Sequence, residues 1–268
     1  MNALLQPNKQ NFPLLPELSI TCFGRFEIKR AGLPVTLCSN RNAQVIFRYL
    51  VAQTRHSAPA EKLVAVIWPE DEPEIAKNKL HIAISALRRS LHADLSRIRG
   101  QGYLVCHNHV YSLDSSAMIH TDVEEFQLYY QMGQRSTEER IIFYEKACQL
   151  YTGPFLSEDL YADWSFLLRE QFNQMYITMC RTLGTYYFQM HSYEEAAKWA
   201  TLILAQDRCD EAAHHQLMQI YAAQGTRSKA IQQYHYCEQM LHRELGIQPL
   251  QTTTQLFQTL VDGKLPIA

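Results

Sequence analysis

Leu80-His81-Ile82-Ala83-Ile84-Ser85-Ala86-Leu87-Arg88-Arg89-Ser90-Leu91 is the stretch on which the reading of this chain turns. Leu80, Ile84, Leu87 and Leu91 recur at the spacing of one buried helix face. At about 100° per residue, Asn78, Ile82, Ser85 and Arg89 fall on the opposite face, with His81 and Arg88 at its flanks. The pattern predicts a helix over 75–91 with a core stripe and a polar outer face. Side chains that offer both donors and acceptors suit base edges in a major groove. Lys77, Lys79, Arg88 and Arg89 suit phosphates. The plainer alternative is an ordinary solvated face over a core stripe.

Working outward, two more helices precede this one. Ala43, Ile46, Phe47 and Leu50 give a buried stripe over 42–53. A shorter helix is expected over 59–67, with Ser57 as its cap, Leu63, Val66 and Ile67 inward, and Trp68-Pro69 as its stop. Glu70-Asp71-Glu72-Pro73-Glu74 then forms an acidic loop. Upstream, residues 18–26 alternate loosely, Arg30-Ala31-Gly32 reads as a turn and Val35-Thr36-Leu37 as a further strand, which predicts a small antiparallel sheet. Downstream, residues 97–105 and 110–113 read as the two strands of a hairpin. Arg97 and Arg99, beside glycines, could follow a phosphate backbone or enter a minor groove. Tyr103 fits a core residue that anchors this hairpin better than a residue that stacks on a base.

A sheet, three helices and a hairpin in this order resemble the OmpR-type winged helix-turn-helix. The residues that carry the likeness are Leu63-x-x-x-Ile67-Trp68-Pro69, Leu80-x-x-x-Ile84-Ser85-x-Leu87-Arg88-Arg89-x-Leu91 and Arg99-Gly100-x-Gly102-Tyr103. The resemblance spans about residues 18–116. It implies that the third helix lies in the major groove, that the hairpin is the wing, and that Glu70, Asp71 and Glu72 touch RNA polymerase. The outer face departs from the family's richest DNA readers: it carries Asn78, His81, Ile82 and Ser85 where many members place more Arg.

From Asp122 onward helix periodicity takes over. Helices are expected over 123–132, 136–150, 162–190, 193–206, 211–223, 228–245 and 252–261, with breaks at Gly133, Gly153-Pro154, Gly225 and Gly246. Leu183-Gly184-x-x-Tyr187 with Ala196 is echoed by Leu217-Met218-x-x-Tyr221 with Ala230, a spacing of 34 residues. That is the tetratricopeptide period, in which helix pairs stack on their neighbours. Gly184, Ala196 and Ala230 would let helices approach, and Tyr187 and Tyr221 would fill the gaps. Twelve of the 15 tyrosines lie in this half, which reads as packing.

Three further runs resemble the bacterial transcriptional activator domain, the second domain of SARP-type activators. They are Ala147-x-x-Leu150-Tyr151-x-Gly153-x-Phe155-Leu156, Trp164-x-x-x-x-Arg169, and Ala230-x-x-x-Tyr234 leading to Leu241-x-x-Glu244-Leu245-Gly246-Ile247-x-Pro249. Asp122 and Phe126 match the acidic and aromatic residues that open that domain. The likeness spans about residues 122–265. It implies a transcription activator that binds direct repeats in double-stranded DNA as a side-by-side homodimer and recruits RNA polymerase. It leaves open an effector or protein bound by the helical array.

The expected fold is therefore mainly α in two domains. A flexible tail (1–17) leads into an N-terminal α/β winged helix-turn-helix (18–118), followed by an all-α tetratricopeptide-like array (119–268). Charge follows the same division. The net −2 of the chain hides +5 over residues 1–121 and −7 over the rest, which points to a polyanionic partner for the first part only.

Other classes find little support. No run of about 18 apolar residues or secretory signal is visible, so a cytoplasmic protein off the membrane is expected. Seven scattered cysteines without a C-x-x-C pair fit a reducing compartment. His107-x-His109 and His214-His215 lack further ligands at metal spacing, so no metal or cofactor is expected. Nucleophile-elbow, Walker-type and dinucleotide-binding motifs are absent, which argues against an enzyme. The alternative kept open is an adaptor whose array grips a protein or effector while the winged helix is weak or structural.

Overall fold

The computed structural model describes residues 15–92, 102–114, 117–160 and 162–263. The expected tail lies outside the described residues up to position 14, as do Arg97 and Arg99. The chain divides into two compact units. One comprises the described residues up to Asp122 together with Leu156–Leu160; the other comprises Val123–Phe155 and the described residues beyond 160.

The first unit runs β1 (Leu18–Thr21), β2 (Glu27–Arg30), β3 (Leu33–Pro34), α1 (Arg41–Ala52), β4 (Ser57–Pro59), α2 (Ala60–Ile67), α3 (Pro73–His92), β5 (Leu104–His107), β6 (Val110–Leu113) and β7 (Ile119–Thr121). This is the expected winged helix-turn-helix. Four strands form one sheet in the order β3-β2-β1-β7, and three form another in the order β4-β6-β5. Leu18, Ile20 and Ile28 alternate inward with the two-residue period of a strand and are buried. The expected antiparallel pairing holds for β1 with β2 and β2 with β3, and β7, which the sequence pattern does not announce, adds parallel to β1. Val35-Thr36-Leu37 is not a strand; the ladder ends at Pro34, and only Val35 N–H reaches back, to the Ile28 carbonyl at 2.8 Å.

Helix starts follow local chemistry. The Asn40 side chain caps α1 by accepting from Ala43 N–H at 3.1 Å. Ser57 does not cap α2. It sits in β4 opposite Ser112, and Pro59 opens the helix without a side-chain cap. Pro73 opens α3, where its missing N–H costs nothing. The core is the stripe expected from sequence: Ala43, Ile46, Phe47 and Leu50 of α1, Leu63 of α2, and Leu80, Ile84, Leu87 and Leu91 of α3 are all buried.

Leu156–Leu160 belongs to this unit although it falls in the sequence range assigned to the helical half. Leu156 N–H donates to the Cys22 carbonyl at 2.8 Å, and Ser157 Oγ donates to the Gly24 carbonyl at 2.6 Å. Arg48, buried on α1, bonds Asp159 at 3.1 Å and Glu158, with its guanidinium over the Phe26 ring. Asp122 accepts from Cys22 and Phe23 N–H at 2.8–2.9 Å.

Among the described residues the second unit has only helices: α4 (Asp122–Arg135, its first residue belonging to the first unit), α5 (Arg140–Leu150), α6 (Asp163–Gln189), α7 (Tyr193–Gln206), α8 (Glu211–Ala223), α9 (Arg227–Leu245) and α10 (Gln251–Val261). From α5 to α9 each helix packs on the next, and α10 covers α8 and α9, as expected for stacked helix pairs. Ala196, Ala200, Leu217 and Ile220 form one core layer, and Met218, Ala222, Ala230, Tyr234 and Leu260 the next. At Gly184 a Cβ would stand 3.0 Å from the Gln216 amide, so this glycine is a close-approach point.

Two expected boundaries move. Gly133 does not break a helix; α4 continues through it, and the residue is buried against the Tyr144 ring, which an added Cβ would overlap. Helix α5 begins at Arg140 rather than at 136. The Ser136 hydroxyl accepts from Glu139 N–H at 3.1 Å, a local turn that competes with helix. The Leu-Gly-Ile signature ends α9 as read: Gly246 adopts a left-handed φ of +68°, and its N–H returns to the His242 carbonyl at 3.0 Å.

Candidate nucleic-acid interface

The outer face of α3 is presented by fixing the inner side and the C-terminal end of the helix. Arg30 Nη1 donates to the Leu91 carbonyl at 2.8 Å, meeting one of the acceptors left free at a helix end. Ser90 Oγ accepts from Cys38 N–H at 2.9 Å. Arg88 is half-buried, and its Nε donates to the Leu104 carbonyl of β5 at 3.2 Å. Part of the Arg88 guanidinium thus joins helix to wing, a role its position on the flank of the face did not announce.

The outer face stays open. Lys77, Asn78, His81, Ser85 and Arg89 are exposed. Among the described residues no side-chain hydrogen bond or ion pair engages any of the five. Ile82 lies among them, 64% exposed. Lys79 instead pairs with Asp71 at 2.6 Å, so one cation and one carboxylate partly neutralise each other beside the acidic loop. In that loop Glu70 and Glu72 are exposed and Asp71 is half-buried.

The wing is the hairpin of β5 and β6. Asn108 and His109 form its two-residue turn with φ of +48° and +61°, the left-handed pair that matches strand twist. The His109 carbonyl accepts from Ala60 N–H at 2.8 Å, which fixes the tip against the start of α2. Exposed His107, Asn108 and His109 are therefore the tip residues; Arg97 and Arg99, to which the sequence points, lie outside the described residues. The signal was present in the two residues between apolar runs, although Asn-His is a weaker turn cue than Asn-Gly. Tyr103 is fully buried, and its hydroxyl donates to the Pro16 carbonyl at 2.7 Å. It anchors the wing and is closed to base stacking; burial also raises its pKa.

Several polar groups of the helical unit are matched within it. Arg169 Nε donates to the Phe155 carbonyl at 3.1 Å, and Arg181 pairs with Asp210 at 2.7 Å. The buried His214 has its Nε2 2.9 Å from the Arg208 carbonyl and its Nδ1 2.5 Å from the Gln233 amide, and desolvation lowers its pKa. It is a satisfied core histidine. Among the described residues no cluster of three metal-ligating side chains occurs, and no helix is long and apolar enough to cross a membrane. An open groove of about 720 Å³ lies between α5 and α6, lined in part by Arg140, Arg181, Thr182 and Tyr186.

A winged helix followed by stacked helix pairs defines a class of bacterial transcription regulators, and the chain belongs to the bacterial transcriptional activator domain family, whose sequence model matches residues 121–261. Within that class it is of the SARP type. It is similar to the transcriptional regulatory protein MoaR1 of Mycobacterium tuberculosis, with 26% identity over 259 residues covering 89% of this chain and 77% of the regulator. The MoaR1 protein of Mycobacterium bovis matches to the same extent. Its fold is similar to that of Mycobacterium tuberculosis EmbR, solved in complex with a low-affinity phosphopeptide. The TM-score is 0.73 at 17% identity, covering 94% of this chain and 67% of that one.

Proposed function

We propose that this regulator binds promoter direct repeats in double-stranded DNA through the outer face of α3 and the wing, as a side-by-side homodimer, and that Glu70, Asp71 and Glu72 contact RNA polymerase. The observation that carries this reading is the set of unengaged polar side chains on α3. Asn78 and Ser85 match base edges, Lys77 and Arg89 match phosphates, and His81 sits at the margin. Arg97 and Arg99 would extend the phosphate contacts along the wing. Domain boundaries at 17/18 and 118/119 complete this reading, with the tail ahead of the first. The acidic array is left to pair protomers and to carry regulation, since its charge repels DNA.

The test is selection of bound fragments from genomic DNA, followed by footprinting. The expected result is protection of two equally oriented half-sites about one helical turn apart, or a multiple of it. Alanine at Glu70, Asp71 and Glu72 should lower transcription and spare DNA binding. Loss of both would make the loop structural, and retention of no fragment at low salt would leave an adaptor. For that second reading the α5–α6 groove is the one supporting feature, with two guanidinium groups in its lining.

A further inference from the structure

We infer that Ile82 is a specificity residue whose aliphatic side chain packs on the C5-methyl of a thymine in each bound half-site. This rests on the reading of α3 as the DNA-contacting helix and goes beyond it by naming the base. Ile82 is 64% exposed in the middle of a helix whose neighbouring apolar side chains Leu80, Ala83, Ile84 and Leu87 are buried at 2% or less. It shares its face with Asn78 one turn before it and Ser85 one turn after it.

An isoleucine offers no donor or acceptor. Placed against most groove edges, it would strip water from base polar atoms and return nothing. The thymine methyl is the distinct apolar group that the major groove presents, so contact with it removes apolar surface from water on both sides. β-Branching holds χ1 of a helical isoleucine in one main rotamer, which keeps its methyl groups in fixed positions. Asn78 fits the same base-pair class, because its amide matches the N6/N7 edge of adenine. Ile75, 53% exposed on the same line in the first turn of α3, supplies an internal comparison.

The test replaces each thymine of a selected half-site, one at a time, with deoxyuridine. This removes the methyl group and leaves base pairing intact. At one thymine per half-site the wild-type protein should lose about fourfold in affinity, the worth of one buried methyl group. Ile82→Ala should bind the thymine and deoxyuridine duplexes equally, whereas Ile82→Val and Ile75→Ala should keep the difference. Thermal melting of each variant confirms that it is folded. If no thymine is methyl-sensitive, or if Ile82→Ala keeps the sensitivity, the inference is overturned while DNA binding stands. If no fragment binds even at low salt, the reading of α3 falls and the inference with it.

Discussion

The outer face of α3 and the helical array draw on the same residue types and treat them in opposite ways. In the array, Arg181 has Asp210, Arg169 has the Phe155 carbonyl, Tyr187 has Glu145 and His214 has the Arg208 carbonyl and Gln233. On α3, Asn78, His81, Ser85 and Arg89 stand exposed and unengaged among the described residues. A buried polar group must be matched or it costs free energy; an exposed one can wait for a ligand at no cost to the fold. One surface carries polar groups matched within the fold, and the other carries polar groups that the fold does not use.

The largest expected effects fall on groups whose partners are internal. Phe172, buried against Phe126 and Phe155, should cost about 3–5 kcal/mol of stability when replaced by alanine, read as a lower denaturation midpoint. Arg48→Met removes the guanidinium that pairs with the carboxylate of Asp159, which is only 8% exposed. A loss of about 3 kcal/mol is expected. If Phe172→Ala melts like the wild type, the two regions are less different than described.

A second tier separates glycines by surroundings. Gly133→Ala places a methyl group into the Tyr144 ring and should lower stability by about 1–3 kcal/mol. Gly225→Ala meets open space and pays only for its φ of +73°, about 1 kcal/mol. Equal melting temperatures for the two would remove the packing account of Gly133.

The smallest stability effect is pH-dependent. Burial lowers the pKa of His214, and of half-buried His215, so folding favours the neutral form of both. The unfolded chain takes up protons first. The stability these groups preserve is present above the ordinary histidine pKa of about 6.5 and is lost as pH falls below it. Urea midpoints at about pH 7.5 and 5.5 should differ in that direction, and His214→Gln should flatten the difference. A midpoint that rises on acidification would contradict the assignment.

How much of this was legible in the sequence depends on the range of the interaction. Leu80, Ile84, Leu87 and Leu91 announce their burial through spacing alone, and the Gly246 cap announces itself through a glycine at the end of a helical run, with Pro249 soon after. The parallel strand Ile119–Thr121 is too short to show a period, and its pairing with β1 spans about a hundred residues. Leu156–Leu160 joins the first unit through the ion pairs of Arg48, which leave no local pattern. For the site, the open face of α3 was readable from helical geometry. The bond from Arg88 to the Leu104 carbonyl was not, since it depends on where the wing returns.

The most direct measurement is the salt dependence of binding to a selected fragment by wild-type protein, Arg89→Ala and Asn78→Ala, each checked by thermal melting. All three should melt within about 0.5 kcal/mol of one another. Arg89→Ala should reduce the steep log–log salt slope by about 1, whereas Asn78→Ala should keep the slope and lose about 1–3 kcal/mol of sequence discrimination. Unchanged binding by both variants, with the fold intact, would contradict the assignment of this face to DNA.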